Sequence, residues 1–599
     1  LHFTIHKWEV KMKRKALKQA LALSLAGAFA LGTAACGSSS STDSGSADSA
    51  AASTEAADTT GSTEAAATAS TGTGASYDDD PSFYPVKNPQ EFTAFTMSMP
   101  NVTDLATNDF TKYLENLTGV KIEFETGSRD DWQEKLNLEL SSGDYPDIIF
   151  GVTPDLAKYG VEEGIIIPLD DYLTEENCPE YLKMFKDQLD LSRESDGKIY
   201  SLLATNDCYH CKYADKMWIN TKYLDELGVD MPTTTDEFYD VCKKFLEKYP
   251  NGIALAGTAP GSGWHSDFQE WLMGSFLLYP GRSYTTSAYD YTAVDKNGKI
   301  VCAATDERYK AFLEYCNSLY KIGAIYDGDF TQTQEQLKTL VNNPDQSPVL
   351  CMPEGTISDY IDVVSNPDLY KQYATLAPLE GPDGTRLTTY YKYSAVSSGN
   401  FMITDKCKDP ATALQWVDFF YSSKGDLCSQ YGADEGKDWV LNPEGEVGLN
   451  GKPALYKVLN GYSGEPQNHD WQDIGIRVAP EEYRLGQATD PDVDPYGPDG
   501  LEKLLYDASE KNYAPYGQDE QNADLDVLPE LKMSNDESST ISTIDVEVEK
   551  IISESQVAFI TGTQDIESGW DSYLDSLNKA GLSDLLSTYQ AAYDRMQSK

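Results

Sequence analysis

Gly143-Asp-Tyr-Pro-Asp-Ile-Ile-Phe-Gly151 decides the fold. Ile148, Ile149 and Phe150 form an unbroken apolar triplet between an acidic, Pro-containing turn and a glycine. That is the signature of a short strand covered on both faces. Upstream, Trp132, Leu136 and Leu140 recur every fourth residue, which predicts a helix. Before it, Val120, Ile122 and Phe124 alternate with Lys121, Glu123 and Glu125, a half-buried strand. Phe110, Tyr113, Leu114 and Leu117 share one helical face over Asp109–Leu117, with Gly119 as the stop. Phe92 to Met99 is rich in β-formers. The order βαβαβ predicts an α/β domain on an open parallel sheet. Such sheets bind ligands at the carboxyl ends of their strands. This points at Met99–Leu105 and Phe150–Thr153, and so at Asp104, Phe150 and Thr153.

A second unit begins near Lys216-Met-Trp-Ile-Asn220. Thr234 and Glu237 have capping-box spacing and open a helix carrying Phe238, Val241, Cys242 and Phe245 on one face. Residues 486–526 are rich in Pro, Asp and Gly and read as a long loop with one short helix near Leu501–Ser509. The C-terminal region is helical. Ile541, Ile544, Val548 and Ile551 follow one face, as do Ile566, Trp570, Tyr573 and Leu577, with Gly581 as the stop.

The amino-terminal stretch reads as targeting. Lys13, Arg14, Lys15 and Lys18 precede a short apolar run from Leu21 to Leu31, and small residues lead to Cys36. The run is too short to span a bilayer. Residues 12–35 are read as a lipoprotein signal peptide, and Cys36 as the lipidated first residue after cleavage. Residues 1–11 are read as untranslated, because Trp8-Glu9-Val10 can be encoded by a ribosome-binding sequence just before the Met12 codon. Peptide mapping of the precursor tests this. Residues 36–77 lack large apolar groups and read as a flexible tether of Ser, Thr, Ala, Gly and Glu.

Residues 78–599 exceed what one core accommodates and predict more than one lobe. The formal net charge is −50. Six Lys/Arg and one acid lie in residues 1–35, so the remainder carries about −55. Such a surface repels nucleic acid and polyanions and favours a neutral or cationic ligand. Nine cysteines follow Cys36, dispersed rather than in a disulfide framework. Cys208 and Cys211 form the one close pair, readable as a disulfide or as two thiols. No second Cys-x-x-Cys completes a zinc site, and no metal or cofactor is expected. His-Glu-x-x-His, Gly-x-Ser-x-Gly and a complete phosphate loop are absent, so no catalytic residue is assigned.

Several segments, in order, resemble the extracellular solute-binding lipoproteins of ABC sugar importers. They are Gly143-Asp-Tyr-Pro-Asp-Ile-Ile149, Ile167-Pro-Leu-Asp-Asp171, Asp196-Gly-Lys-Ile-Tyr200, Trp218-Ile-Asn220, Met231-Pro-Thr-Thr-Thr235, Gly399-Asn-Phe-Met-Ile403 and Phe559-Ile-Thr-Gly562. The resemblance implies a two-lobed periplasmic-binding-protein-like (type II) fold with a hinged cleft. The first lobe is expected to begin over 90–205 and the second to span roughly 206–390, with later segments returning to the first. It implies a monomer, lipid-anchored on the outer face of the cell membrane. That monomer captures an oligosaccharide and delivers it to ABC permease subunits. A peptide receptor and a secreted glycoside-acting enzyme are the alternatives. Where calcium-binding relatives carry an Asp/Asn-rich loop, this chain has only Lys248-Tyr-Pro-Asn-Gly252, so that site is not carried over. Asp490-x-Asp492-x-Asp494 imitates a calcium loop, but Pro495 stands where glycine is needed.

Sugar recognition needs flat aromatic faces and planar polar groups. The glycine-rich loop Gly257–Asp267 offers Trp264, His265 and Asp267. Packing of Trp264 beneath its own loop is the competing reading. Glu354 follows an apolar strand that should end in the cleft. Tyr391, Tyr393 and Asn400 precede the strand leading to Ile403, and Trp439 follows Tyr431-Gly432. These complete the expected ligand-binding set.

Overall fold

A computed structural model describes residues 83–597, apart from 100, 129–130, 282–290, 391, 393–394 and 462–465. The signal peptide, Cys36 and the tether expected at 36–77 lie outside the described residues.

The segment that opened the reading forms the strand Ile148–Phe150. Its neighbours are Glu91–Met97 and Lys121–Gly127, linked by helices Asp109–Thr118 and Trp132–Ser142. The three strands are parallel. Phe401–Ile403 adds antiparallel beside Ile148–Phe150 and completes a four-stranded sheet. The sheet is covered on both faces because its side chains alternate. Phe92, Ala94, Ile148 and Phe150 enter one core cluster. Phe95, Ile149 and Met402 enter another with Leu136 and Leu140. Gly119 and Gly143 end the helices at positive φ (76° and 81°), where a side chain is strained.

A second four-stranded sheet orders Tyr373–Leu376, Met217–Asn220, Val349–Pro353 and Ile253–Leu255. The last two are parallel and the other pairings antiparallel. Met217 and Ile219 face one cluster, Trp218 the other. Helix Thr235–Lys248 buries Phe238, Val241, Cys242 and Phe245, as its spacing predicts. Its capping box is only half formed. Thr234 accepts from the Glu237 N–H, but the Glu237 carboxylate accepts from Thr233 instead.

Helices Asn535–Thr561, Ile566–Ala580 and Leu582–Gln597 bury Val548, Trp570, Leu577 and Tyr589 with helix Glu307–Ile322 in the core of the second sheet. The expectation that the later segments return to the first lobe is therefore corrected from Leu504 onward. Residues from Phe401 to Tyr483 do pack with the first sheet. Those from Leu504 do not, because their apolar faces are complementary to the second core.

A three-stranded sheet of Val396–Ser397, Ala204–Asn206 and Val478–Ala479 packs with the first core and lies on the chain crossings between the two larger sheets. Among the described residues no helix is long and apolar enough to cross a membrane.

Candidate functional site

The chain passes from the first sheet to the second after Ala204–Asn206 and returns through Val396–Ser397, both strands of this connecting sheet. In the first, the parallel strands end at Met97, Gly127 and Phe150. Phe401 pairs with Phe150, so the chain enters at that edge, four residues after Ser397 of the connecting sheet. In the second, Met217 pairs with Pro353, the end of its strand. The chain reaches it from Asn206 of the connecting sheet. Loops at these two edges, where open α/β sheets bind ligands, thus adjoin the crossings along the chain.

At the first edge, Thr153 is exposed and its hydroxyl donates to Gly399 O at 2.9 Å. Asn400 is half-buried and donates to Ser397 O at 2.9 Å. Asp104 is exposed, holding its own turn through Thr107 and Ala106. Those bonds favour the ionised carboxylate and keep its pKa below the ordinary value. Phe150 is not on the edge surface. It is fully buried, stacked on Trp471 with ring centres 5.8 Å apart.

Trp439 is likewise a core residue and not a cleft residue. It is 1 % exposed, and its indole N–H donates to Gly432 O at 2.8 Å. A strand that pairs with Tyr456–Val458 carries this ring inward. Tyr391 and Tyr393 lie outside the described residues.

At the second edge, Trp264 is half-buried in the loop that precedes helix Phe268–Met273. One face of its ring packs on Gly355, and its carbonyl accepts the Gly355 N–H at 3.0 Å. The His210 ring meets it edge-on at 6.3 Å. The indole also lines an open pocket of about 590 Å³ with Ser262, Gln334, Lys338 and Asp359. Asp267 caps the helix, accepting from Glu270 N at 3.2 Å, and is buried. Glu354 is fully buried and accepts from Gly355 N at 2.9 Å. Burial raises its pKa well above the carboxylate range. Asp267 and Glu354 therefore lie beneath the surface and hold the loops on either side of Trp264.

His265 also points inward. Its Nδ1 lies 2.6 Å from Asp215 Oδ1 and 2.9 Å from Glu270 Oε2, with all three residues buried. Burial alone would depress the imidazole. The two carboxylates override it and hold the pKa at about 10, so the ring is an imidazolium. This trio is one of two groups with metal-ligating chemistry among the described residues. Its separations suit hydrogen bonds. Donors on a tetrahedral zinc, at bonds of ~2.0–2.1 Å, stand about 3.3 Å apart. The other group is Cys208, His210 and Cys211. Its sulfurs are joined in a disulfide, which settles the alternative left open above and removes the thiolates a metal needs. Lys216 lies in the same buried region, and its ammonium donates to His210 O at 2.9 Å and Tyr213 O at 2.6 Å. Burial pulls its pKa down to about 7 despite Asp215 and Glu354.

The family model of bacterial extracellular solute-binding proteins matches residues 100–426. The chain belongs to that family. It is a two-lobed α/β solute-binding protein. It is similar to the fructooligosaccharide ABC transporter substrate-binding protein FusA of Streptococcus pneumoniae, at 25 % identity over 546 residues, 88 % of this chain and 95 % of FusA. It is also similar to lipoprotein LipO of Bacillus subtilis, at 24 % identity over 365 residues, 58 % of this chain and 67 % of LipO. The solved structure of FusA in complex with kestose superimposes with a TM-score of 0.67 at 23 % identity, covering 85 % of this chain and 99 % of that one.

The sequence reading missed Asp215, Lys338 and Asp359, and took Gly355 only as part of a segment ending in the cleft and not as the support of Trp264. Each sits in an ordinary local pattern, and only the packing of distant loops brings them to Trp264 and His265.

Proposed function

We propose that this solute-binding protein captures a neutral oligosaccharide between its lobes and delivers it to the permease of an ABC transporter. The observation that carries the reading is the Trp264 ring, backed on Gly355 at a carboxyl edge and half-exposed beside a polar pocket. A supported aromatic face with planar polar groups around it suits a pyranose or furanose ring. FusA, its relative, is named for fructooligosaccharides, which supports a glycan over a peptide. Ligand contacts made to both lobes at once would favour a closed state, which is what the permease would recognise.

The protein is read as a monomer that catalyses nothing. It is read as held by lipid on Cys36 at the extracellular face of the membrane, with residues 36–77 as tether. The similarity to lipoprotein LipO supports the anchor.

A thermal-shift screen of purified protein over neutral oligosaccharides, acidic oligosaccharides and peptides tests the reading. A ligand that binds only the folded state raises the melting temperature. The expected hits are neutral oligosaccharides, recovered intact after prolonged incubation. Hits confined to peptides, or cleavage of the sugar, overturn it.

A further inference from the structure

Cys208 and Cys211 are the one bonded pair among the described cysteines, and ligand capture makes no use of them. Their turn lies on the first chain crossing, between Ala204–Asn206 and Met217–Asn220. The bond closes a loop around two residues, Tyr209 and His210, both buried. So short a loop constrains the unfolded chain far less than a long-range crosslink does. What the bond holds is local. The Tyr209 hydroxyl donates to Glu502 Oε2 at 2.7 Å, and its ring meets Tyr506 edge-on at 5.3 Å, both on helix Leu501–Ala508. The His210 ring meets the Trp264 indole. The Lys216 ammonium donates to the carbonyls of His210 and Tyr213 and ties the turn to the start of the next strand.

The two sulfurs differ in access. Cys208 is buried, whereas Cys211 is half-buried. Thiol–disulfide exchange begins with a thiolate reaching one sulfur of the bond, and accessible disulfides are the labile ones. Cys211 Sγ offers that approach. His210 Nδ1 stands 3.8 Å from it. Burial, with Lys216 and Arg484 nearby, keeps this imidazole neutral. In its Nδ1–H tautomer it donates to a thiolate formed on Cys211, and such a donor favours the thiolate.

We infer that Cys208–Cys211 is a redox site reduced by an external dithiol, and that its reduction withdraws the support this turn gives to Trp264. A thiolate of the dithiol attacks Cys211 Sγ. A bond forms between the two sulfurs, and the Cys208–Cys211 bond breaks with its electron pair on Cys208. The second thiolate of the dithiol then attacks the reductant's own sulfur in this mixed disulfide and releases Cys211. The protein gains two electrons, the two protons lost by the dithiol end on Cys208 and Cys211, and the dithiol leaves as a disulfide. With the bond open, no covalent tie holds His210 against Trp264. The redox site stands whatever the ligand is. Only its effect on capture, a less ordered Trp264 and weaker binding in the reduced state, rests on the oligosaccharide reading above.

The folded protein, purified without reductant, is incubated with dithiothreitol or with reduced thioredoxin and quenched with N-ethylmaleimide, and the adducts are mapped to peptides. Adducts are expected at Cys208 and Cys211 and at none of the seven buried free thiols. Faster reduction by thioredoxin at equal dithiol concentration assigns the dithiol to a protein, and faster reduction by dithiothreitol assigns it to a small molecule; both uphold the site. Acrylamide quenching of tryptophan emission is read on the same samples without ligand. It is expected to rise on reduction in the parent and to stay constant in Trp264→Phe. The double variant Cys208→Ser/Cys211→Ser is expected to match the reduced parent and to ignore the dithiol; if it fails to fold, the chemically reduced parent carries the test. A bond that resists both dithiols until the protein is denatured overturns the inference. So does reduction that leaves quenching unchanged, or that abolishes the melting transition and so makes the bond a structural staple. None of these readouts uses a sugar, so their failure is distinct from failure of the thermal-shift screen.

Discussion

Gly355 lies directly under the Trp264 indole: a Cβ at position 355 would come 2.3 Å from Trp264 Cε3 and 2.5 Å from Cζ3. No side chain can occupy that space without moving the ring. The glycine is required here by close approach and not by its backbone angles. Gly355→Ala is therefore expected to tilt Trp264 and weaken sugar binding, with a smaller effect on stability. Calorimetry against the thermal midpoint separates the two. Unchanged affinity would show that the ring does not touch ligand.

Trp264→Ala removes the platform itself. The expected loss in binding is roughly 1–3 kcal/mol, the scale of a buried aromatic contact. The ring is only half-buried and tops a loop, so the fold should persist. A variant that binds as tightly as the parent assigns Trp264 to packing.

The Asp215–His265–Glu270 cluster predicts a pH signature. The folded pKa of His265, about 10, stands above its unfolded value near 6.5. Its stabilisation is fully present below about pH 6.5 and is lost as pH rises toward 10. His265→Gln should therefore cost most stability at mildly acidic pH, and the gap to the parent should narrow steadily up to pH 10. Denaturant titrations at four pH values measure it. A gap that widens with pH contradicts the ion-paired imidazolium.

Cys208 and Cys211 are bonded, whereas Cys178, Cys242, Cys302, Cys316, Cys351, Cys407 and Cys428 are free and buried. Alkylation of the folded protein without reductant should spare all nine. Denaturation without reductant should expose seven thiols, and addition of reductant two more. Mass spectrometry counts the adducts. Closing so short a loop should contribute about 2 kcal/mol by the chain-entropy estimate.

The ligand's neutrality predicts weak salt dependence. A chain near −55 after residue 35 presents a repulsive field to uronic-acid chains and none to neutral ones. Affinity for the neutral ligand should change little between low and high ionic strength. Tight, salt-sensitive binding confined to the uronic-acid series would overturn this. For the anchor, Cys36→Ser is expected to release the protein or leave it unprocessed. Retention in the membrane fraction with normal processing would falsify lipidation at Cys36.

The local pattern of the first lobe was legible because it is carried by short-range rules. Alternation over Val120–Glu125, one-sided spacing over Asp109–Leu117 and glycine stops at 119 and 581 each reflect what a few neighbouring residues dictate. The apolar triplet Ile148–Phe150 marked a strand buried on both faces, and the same burial places the Phe150 ring in the core. The signal that marked the strand thus also marks Phe150 as a core side chain and not one of the edge surface.

What the sequence determined by itself is the class of chain: an α/β protein of more than one lobe, strongly acidic, with a helical end and an aromatic in a glycine-rich loop. What only the tertiary structure decided is the inward turn of His265, Glu354 and Trp439, the docking of residues from Leu504 onward on the second core, and the support of Trp264 by Gly355. Periodicity fixes which face of an element is apolar, because it depends on residues three or four apart. It does not fix which distant face will cover it, because that depends on the fit of surfaces separated by scores of residues, from Asp215 to Glu270 and from Trp264 to Gly355.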